Sequence, residues 1–155
     1  MRVLGIDPGF GRMGWAVLEG NRASQRLVQC GCLETNPKDS LEERLLEILQ
    51  CIDTLIEKFK PDEAAVEELF FFKNQKTVMA VGQARGVIVV ALTQRKVPVY
   101  HYTPLQVKSS ITGYGQADKK QVQFMVKSLL KLKTISKSDD ATDAVAVALT
   151  HLFRC

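Results

Sequence analysis

The sequence lacks three features that would each have narrowed its class. No uninterrupted apolar stretch approaches the roughly 18 residues of a membrane span. The N-terminal stretch Met1-Arg2-Val3-Leu4-Gly5-Ile6-Asp7 carries an acid where a signal peptide would be apolar. The four cysteines form no CxxC pair, and neither histidine lies at zinc-ligand spacing from them. We therefore expect a cytoplasmic protein with reduced thiols and no membrane segment.

Repeats, low-complexity tracts and linkers rich in proline or serine are also absent. At 155 residues, the chain has the length of one ordinary domain and can bury roughly 70% of its unfolded surface. We expect a single domain over residues 1–155.

Charge is unevenly distributed along the chain, whose net charge is +4. Residues 1–70 contain 8 Lys and Arg against 13 Asp and Glu, whereas residues 71–155 contain 13 against 4. This asymmetry is expected where carboxylates bind metal and lysines contact a polyanion, although a solvated basic face would give the same counts. Charge alone therefore leaves nucleic-acid binding open.

The periodicity of apolar residues predicts an α/β protein. An amphipathic helix follows the capping box Ser40-x-x-Glu43. The predicted strands are Arg2–Ile6, Gly14–Leu18, Arg26–Leu33, Ala64–Leu69 and Val97–Tyr102, and the helices run from Ser40, from about Asn74 to Gln94, from Thr103-Pro104, from Asp118 to about Leu132 and from Ser138 to about Phe153. This order indicates a mixed sheet of five strands flanked by helices, with the first three strands antiparallel and the fourth and fifth parallel.

Four acidic residues fall where such a sheet would bring them together. Asp7 ends the first strand and Glu67 lies near the end of the fourth, so both belong at the carboxyl edge of neighbouring strands. Asp140 and Asp143 are three residues apart on one helix face. In other proteins these two are often first-turn helix acids, and Glu67 with Glu68 could be a solvent-facing edge. A charged residue closing an apolar strand, as Asp7 does, favours a functional site.

Clustered carboxylates repel one another unless cations compensate their charge. Mg²⁺ prefers oxygen ligands and needs neither histidine nor thiolate. Two such ions, about 3.5–4 Å apart, could hold a scissile phosphate between an attacking water and the leaving oxygen. We therefore expect Mg²⁺ as the cofactor, with two ions per site and Mn²⁺ as a substitute.

Five motifs in order give a resemblance that covers nearly the whole chain. They are Leu4-Gly5-Ile6-Asp7-Pro8-Gly9 with Gly14, Val66-Glu67-Glu68-Leu69-Phe70, Gly82-Gln83-Ala84-Arg85-Gly86-Val87, Gln106-Val107-Lys108 with Lys119-Lys120-Gln121-Val122-Gln123, and Asp140-Ala-Thr-Asp143-Ala144. Together they closely resemble the RuvC family of Holliday-junction resolvases. The resemblance implies an RNase H-like fold, a homodimer, and paired symmetric nicks in a four-way DNA junction during recombination and repair.

The resemblance also implies roles for individual residues. Asp7, Glu67, Asp140 and Asp143 match the catalytic, metal-binding carboxylates of the family, and this register selects Glu67 over Glu68. Lys108, Lys119 and Lys120 are expected to bind DNA phosphates, although they could instead form a solvated helix face. Phe70 matches an aromatic residue that contacts the junction centre, but the run Phe70-Phe71-Phe72 leaves open which ring does so.

The sequence leaves several alternatives open. The helix that contains Gln83 forms a dimer interface in the family, whereas Arg85 could serve the fold, the dimer or DNA. The basic segment Lys131–Lys137 could add phosphate contacts, and a branch-migration complex of the RuvA/RuvB type could be a partner. Three rival functions are an RNase H-like nuclease for structured RNA, a junction-binding protein without catalysis, and a fragment of a sugar-kinase or actin-like ATPase.

Overall fold

The computed structural model describes residues 1–68, 75–136 and 138–154. Within them the chain forms five strands and five helices in the predicted order. The strands are β1 (Arg2–Asp7), β2 (Arg12–Gly20), β3 (Gln25–Glu34), β4 (Glu63–Glu67) and β5 (Val99–Tyr102), and the helices are α1 (Leu41–Phe59), α2 (Gln75–Gln94), α3 (Pro104–Thr112), α4 (Lys119–Leu129) and α5 (Asp139–Arg154).

The strands form one mixed sheet in the order β3-β2-β1-β4-β5. β1 pairs antiparallel with β2, and β2 pairs antiparallel with β3. β4 lies parallel to both β1 and β5. The prediction of an α/β mixed sheet is confirmed, and the central strand is β1, the strand that ends at Asp7.

Helices cover both faces of this sheet and define two apolar layers. α1 and α2 pack on one face around Leu4, Ile6, Ala64 and Val66. α3, α4 and α5 cover the other face, where the core includes Val3 and Ala65. Since successive side chains of a strand point to opposite faces, the odd-numbered residues of β1 and β4 face α5.

Two glycines allow α5 to lie very close to the sheet. A Cβ on Gly5 would lie 2.4 Å from the carbonyl oxygen of Ala144, and a Cβ on Gly14 would lie 2.0 Å from that of Asp140. Only a residue without a side chain fits at either position. The first two turns of α5 are thereby held against the ends of β1 and β2.

A buried polar network ties the other end of α5 to the sheet. His151, 1% exposed, has its Nδ1 atom 2.6 Å from the Tyr102 hydroxyl and its Nε2 atom 2.5 Å from a carboxylate oxygen of Glu63. Because a buried polar group without a hydrogen-bond partner destabilises the fold, this network favours a single packing position of α5 on the sheet.

Capping residues predicted most helix starts correctly, whereas the observed helix ends differ from the predicted ones by a few residues. The capping boxes at Ser40 and Thr103 are both present. α4 ends at Leu129, three residues before the predicted Leu132, and Lys131 has a positive φ of 53° that interrupts the helical path. β5 starts at Val99, two residues after the predicted Val97, although the Pro98 carbonyl oxygen still accepts a hydrogen bond from the Ala64 N–H of β4.

By length and composition alone, α2 could cross a membrane, although the sequence was expected to contain no such segment. Within α2, Thr77–Gln94 has a mean hydropathy of 1.3, and 22% of this window is buried. Length and composition alone are weak grounds for a membrane span.

Candidate active site

The carboxyl edge of the central strands brings two acidic residues together. Asp7 ends β1, where it pairs with Gly14 of β2. On the other side of β1, Ile6 pairs with Val66, so Glu67 follows directly beside Asp7. Pro8 comes next and turns the chain away, which leaves the Asp7 carboxylate at the mouth of the sheet.

Strand alternation decides which of the two adjacent glutamates reaches this site. Ala65 belongs to the apolar layer beneath α5, whereas Val66 belongs to the opposite layer. Glu67 therefore points to the face that α5 covers, as Asp7 does. Glu68 lies beyond the strand, and its backbone N–H donates to the Tyr102 carbonyl oxygen.

The first turn of α5 adds the other two carboxylates. The backbone of Asp140 rests on Gly14, the partner of Asp7, and Asp143 follows almost one turn later. Their side chains are 28% and 29% exposed, so each is partly sheltered. All four predicted carboxylates thus converge on the same edge of the sheet, whereas the Asp139 side chain is 66% exposed.

The predicted lysines differ in their relation to the carboxylates. Lys119 places its Nζ atom 3.0 Å from Asp143 and 3.5 Å from Asp139. Lys108 and Lys119 line a cavity of about 250 Å³ together with Glu67 and Asp143. Lys120 is exposed and lines a different cavity. Phe70 lies outside the residues that the structure describes.

Burial and mutual repulsion dominate the electrostatics of these carboxylates. Burial, followed by the charges of Glu67 and Asp143, raises the pKa of Asp7 to about 9. Burial also raises the pKa values of Glu67 and Asp143, although Lys119 opposes the shift in both. The raised pKa favours the protonated form of Asp7 at neutral pH, where a proton between Asp7 and Glu67 relieves their repulsion.

The donor set fits a hard divalent cation because it consists of carboxylate oxygens alone. Among the described residues, no three acidic, histidine or cysteine side chains already form a cluster that could hold an ion. Lys119 supplies positive charge at Asp143 instead. Metal binding at these carboxylates would require loss of the Asp7 proton and movement of the side chains towards one another.

Sequence reasoning missed three groups around Asp140. Arg12 places its Nε atom 3.5 Å from the Asp140 carboxylate and also pairs with Glu34. The Ser138 hydroxyl donates to Asp140 over 3.4 Å, and the Cys32 thiol does so over 3.9 Å. Cys32 pairs with Gly14, so the register of β2 and β3 would have revealed this neighbour.

Arg85, whose role the sequence left open, makes a contact within the fold. Its terminal nitrogen lies 2.8 Å from Nδ1 of His101, the residue before the end of β5. The arginine is half-buried on α2, so this contact joins the helix to the edge strand.

A central parallel pair of strands that ends in carboxylates, faced by two more on a closely packed helix, is the arrangement of an RNase H-like nuclease. The sequence profile of "Crossover junction endodeoxyribonuclease RuvC" matches residues 3–151. The RuvC protein of Roseiflexus sp. is 52% identical over 152 residues, which cover 98% of this chain and 90% of that protein. The chain belongs to the RuvC family of crossover junction endodeoxyribonucleases.

Solved structures agree with this assignment. The structure of Thermus thermophilus RuvC matches with a TM-score of 0.90 and 38% identity, covering 99% of this chain and 94% of that one. T. thermophilus RuvC in complex with a Holliday junction substrate matches with a TM-score of 0.93 and 37% identity over the same shares. The rival assignment to a kinase or ATPase fragment is thereby wrong.

Proposed function

We propose that this chain resolves Holliday junctions by hydrolysing one phosphodiester in each of two opposing strands. The single observation that carries the proposal is the convergence of Asp7, Glu67, Asp140 and Asp143 at one sheet edge in a RuvC-family chain. A protein that only bound DNA would gain nothing from acidic charge facing phosphates. The relative from T. thermophilus has been solved with a Holliday junction substrate.

Nucleases of this family depend on a metal. For this chain we propose two Mg²⁺ ions per site, held by Asp7, Glu67, Asp140 and Asp143, with Mn²⁺ able to replace them. When bound, such ions lower the pKa of a water nucleophile and offset charge on the leaving oxygen. Their oxygen ligands must be ionised, so the proton on Asp7 has to leave first.

The lysines support the reaction from the side of α3 and α4. The positive charges of Lys108 and Lys119 oppose the rise in the pKa of Glu67 and thereby favour its ionised form. Lys119 does the same for Asp143. Both line the cavity beside the carboxylates, where they can also bind the phosphates of the strand to be cut. Lys120 and Phe70 are proposed as further DNA contacts.

Paired nicks require two active sites, and the exposed side of α2 is suited to join two copies of the chain. Met79 is 70% exposed and Val90 is 54% exposed. A Cβ added at Gly82 or Gly86 would meet nothing within 4 Å, so a partner backbone could approach there. This exposed apolar side supports a homodimer.

A Met79→Glu variant should sediment as a monomer, whereas an unchanged dimer would contradict the assignment of α2.

The deciding experiment incubates the protein with a synthetic four-way junction and with a matched linear duplex, each in Mg²⁺ or EDTA. We expect symmetric nicks in two opposing strands of the junction, in Mg²⁺ only. The Asp7→Asn variant should bind the junction without cutting it. Cutting of hairpin RNA instead of the junction, or normal cleavage by Asp7→Asn, would overturn the proposal. Cytoplasmic location and a RuvA/RuvB-type partner stay predictions.

A further inference from the structure

The outer face of α4 presents an aromatic ring between lysines. Lys119 and Val122 face the active-site cavity. Lys120, Phe124 and Lys127 follow at spacings of four and three residues, so they share another face of the same helix. All three are exposed, and Phe124 is 70% exposed, which is unusual for so large an apolar side chain.

Two neighbouring cavities make this face continuous. One, of about 440 Å³, is lined by Lys120, Phe124 and Tyr114 among others. The second, of about 380 Å³, is lined by Phe124, Lys127 and Lys131 among others. Phe124 is therefore the wall that they share. We call Lys120, Phe124, Lys127 and Lys131 the α4 stripe.

Among the residues that the structure describes, no acidic side chain pairs with the lysines of the α4 stripe. Residues 119–136 include five lysines and no acidic residue. At the edge of the stripe, the Asp118 carboxylate accepts a hydrogen bond from the Gln121 backbone over 2.8 Å and so caps the helix. Within the described part of the chain, no carboxylate lies in ion-pair distance of the three lysines of the stripe.

We propose that the α4 stripe is a second DNA-binding surface, which holds an arm of the junction where it leaves the active site. This inference rests on the proposed function. Lysines bind phosphates without regard to sequence, and an exposed ring can cover the sugar and base surface of the same strand. An acidic protein partner would match the lysines as well, but the stripe begins on the helix that brings Lys119 to Asp143.

The dimensions of the stripe agree with a DNA backbone. At a rise of about 1.5 Å per residue, Lys120 and Lys127 are separated by about 10 Å along the helix axis. One strand of a duplex carries a phosphate about every 3.4 Å along its axis, so this length spans about three phosphates. The stripe therefore extends the DNA contact by a few nucleotides beyond the cleavage site.

The test combines variants of the stripe with junctions of two arm lengths. One variant carries Lys127→Gln and Lys131→Gln, another carries Phe124→Ala, and a matched control carries Lys60→Gln and Lys96→Gln. The control lysines precede β4 and β5 at the opposite end of the sheet from Asp7. Dissociation constants are measured in EDTA at several salt concentrations, with arms that extend past the stripe or end beside the active site.

With long arms, the double lysine variant should lower the slope of log affinity against log salt by roughly 1.8, since each duplex phosphate contact contributes about 0.9. Phe124→Ala should weaken binding with little change in that slope, and the control should bind like the parent protein. With short arms, all variants should bind alike. Equal binding of long arms by the stripe variants, as expected for a surface that takes a protein, would overturn the inference.

A defect that persisted with short arms would also overturn it, because the changes would then act on the active site. These outcomes are independent of the proposed cleavage. If the parent protein bound the junction but did not cut it, the proposed function would fail while the arm-length comparison still tested the stripe.

Discussion

Replacement of Asp7 by Asn should change how the stability of the metal-free protein depends on pH. The fold raises the pKa of Asp7 from 3.8 to about 9, first through burial and then through the charges of Glu67 and Asp143. Because the pKa of Asp7 is higher in the folded protein than in the unfolded chain, protonated Asp7 stabilises the fold. This contribution is fully present below the unfolded pKa of 3.8 and is lost as the pH rises towards 9. The Asn variant carries no such group and should be spared this loss.

The size of the effect follows from the width of this window. Each pH unit between the unfolded and folded pKa values costs at most about 1.4 kcal/mol. Between pH 5 and pH 7, the advantage of Asp7→Asn in the free energy of unfolding should therefore grow by up to roughly 3 kcal/mol. Glu67 and Asp143 titrate in both proteins, so the difference between the two reports on Asp7 and on its coupling to these neighbours.

The assay is urea unfolding in EDTA at pH 5, 6 and 7, with Glu42→Gln as a control. Glu42 is exposed in the first turn of α1, outside the candidate active site, so its replacement controls for the loss of one carboxylate. Addition of Mg²⁺ at pH 7 should stabilise the parent protein but not Asp7→Asn, because only the parent keeps the full ligand set. Parallel pH dependences for the parent and Asp7→Asn would refute the electrostatic reasoning.

Three further predictions test the surroundings of the site. Lys119→Gln should move the acidic limb of the pH profile of cleavage to higher pH, because the positive charge of Lys119 opposes the rise in the pKa of Asp143. Lys119→Arg should restore the parental profile, and an acidic limb that did not move would contradict the ion pair between Lys119 and Asp143. Gly14→Ala should lower the melting temperature and the cleavage rate together, since its Cβ would lie 2.0 Å from the Asp140 carbonyl oxygen; a protein of parental stability would refute that packing. Glu63→Ala should cost about 1–3 kcal/mol in urea unfolding by removing a partner of the buried histidine of α5, and a cost near zero would show that the network adds nothing.

The convergence of the four carboxylates could be predicted from the sequence because strand geometry leaves few choices. Asp7 ends an apolar strand, and the parity of Glu67 places it on the same face as Asp7 once the two strands are parallel neighbours. The spacing of Asp140 and Asp143 places both on one helix face. Whether they lie near Asp7 depends on how closely α5 packs against Gly14. That approach is a property of tertiary packing.

The surroundings of Asp140 were harder to predict for the same reason. Arg12 and Cys32 lie on strands whose register with β1 was unknown from the sequence. The ion pair between Lys119 and Asp143 joins two helices whose relative position no local pattern encodes. Helix starts were predicted well because capping residues act locally, as at Ser40.

The central claim is that four carboxylates, distant in sequence, hold divalent ions at one edge of the sheet. Crystals of the protein soaked in Mn²⁺ and measured at the manganese absorption edge would test it most directly. We expect anomalous peaks whose ligands include Asp7 and Glu67, with Asp140 or Asp143 completing the set, and no such peaks for Asp7→Asn. Manganese bound only elsewhere, or bound equally well without the Asp7 carboxylate, would contradict it.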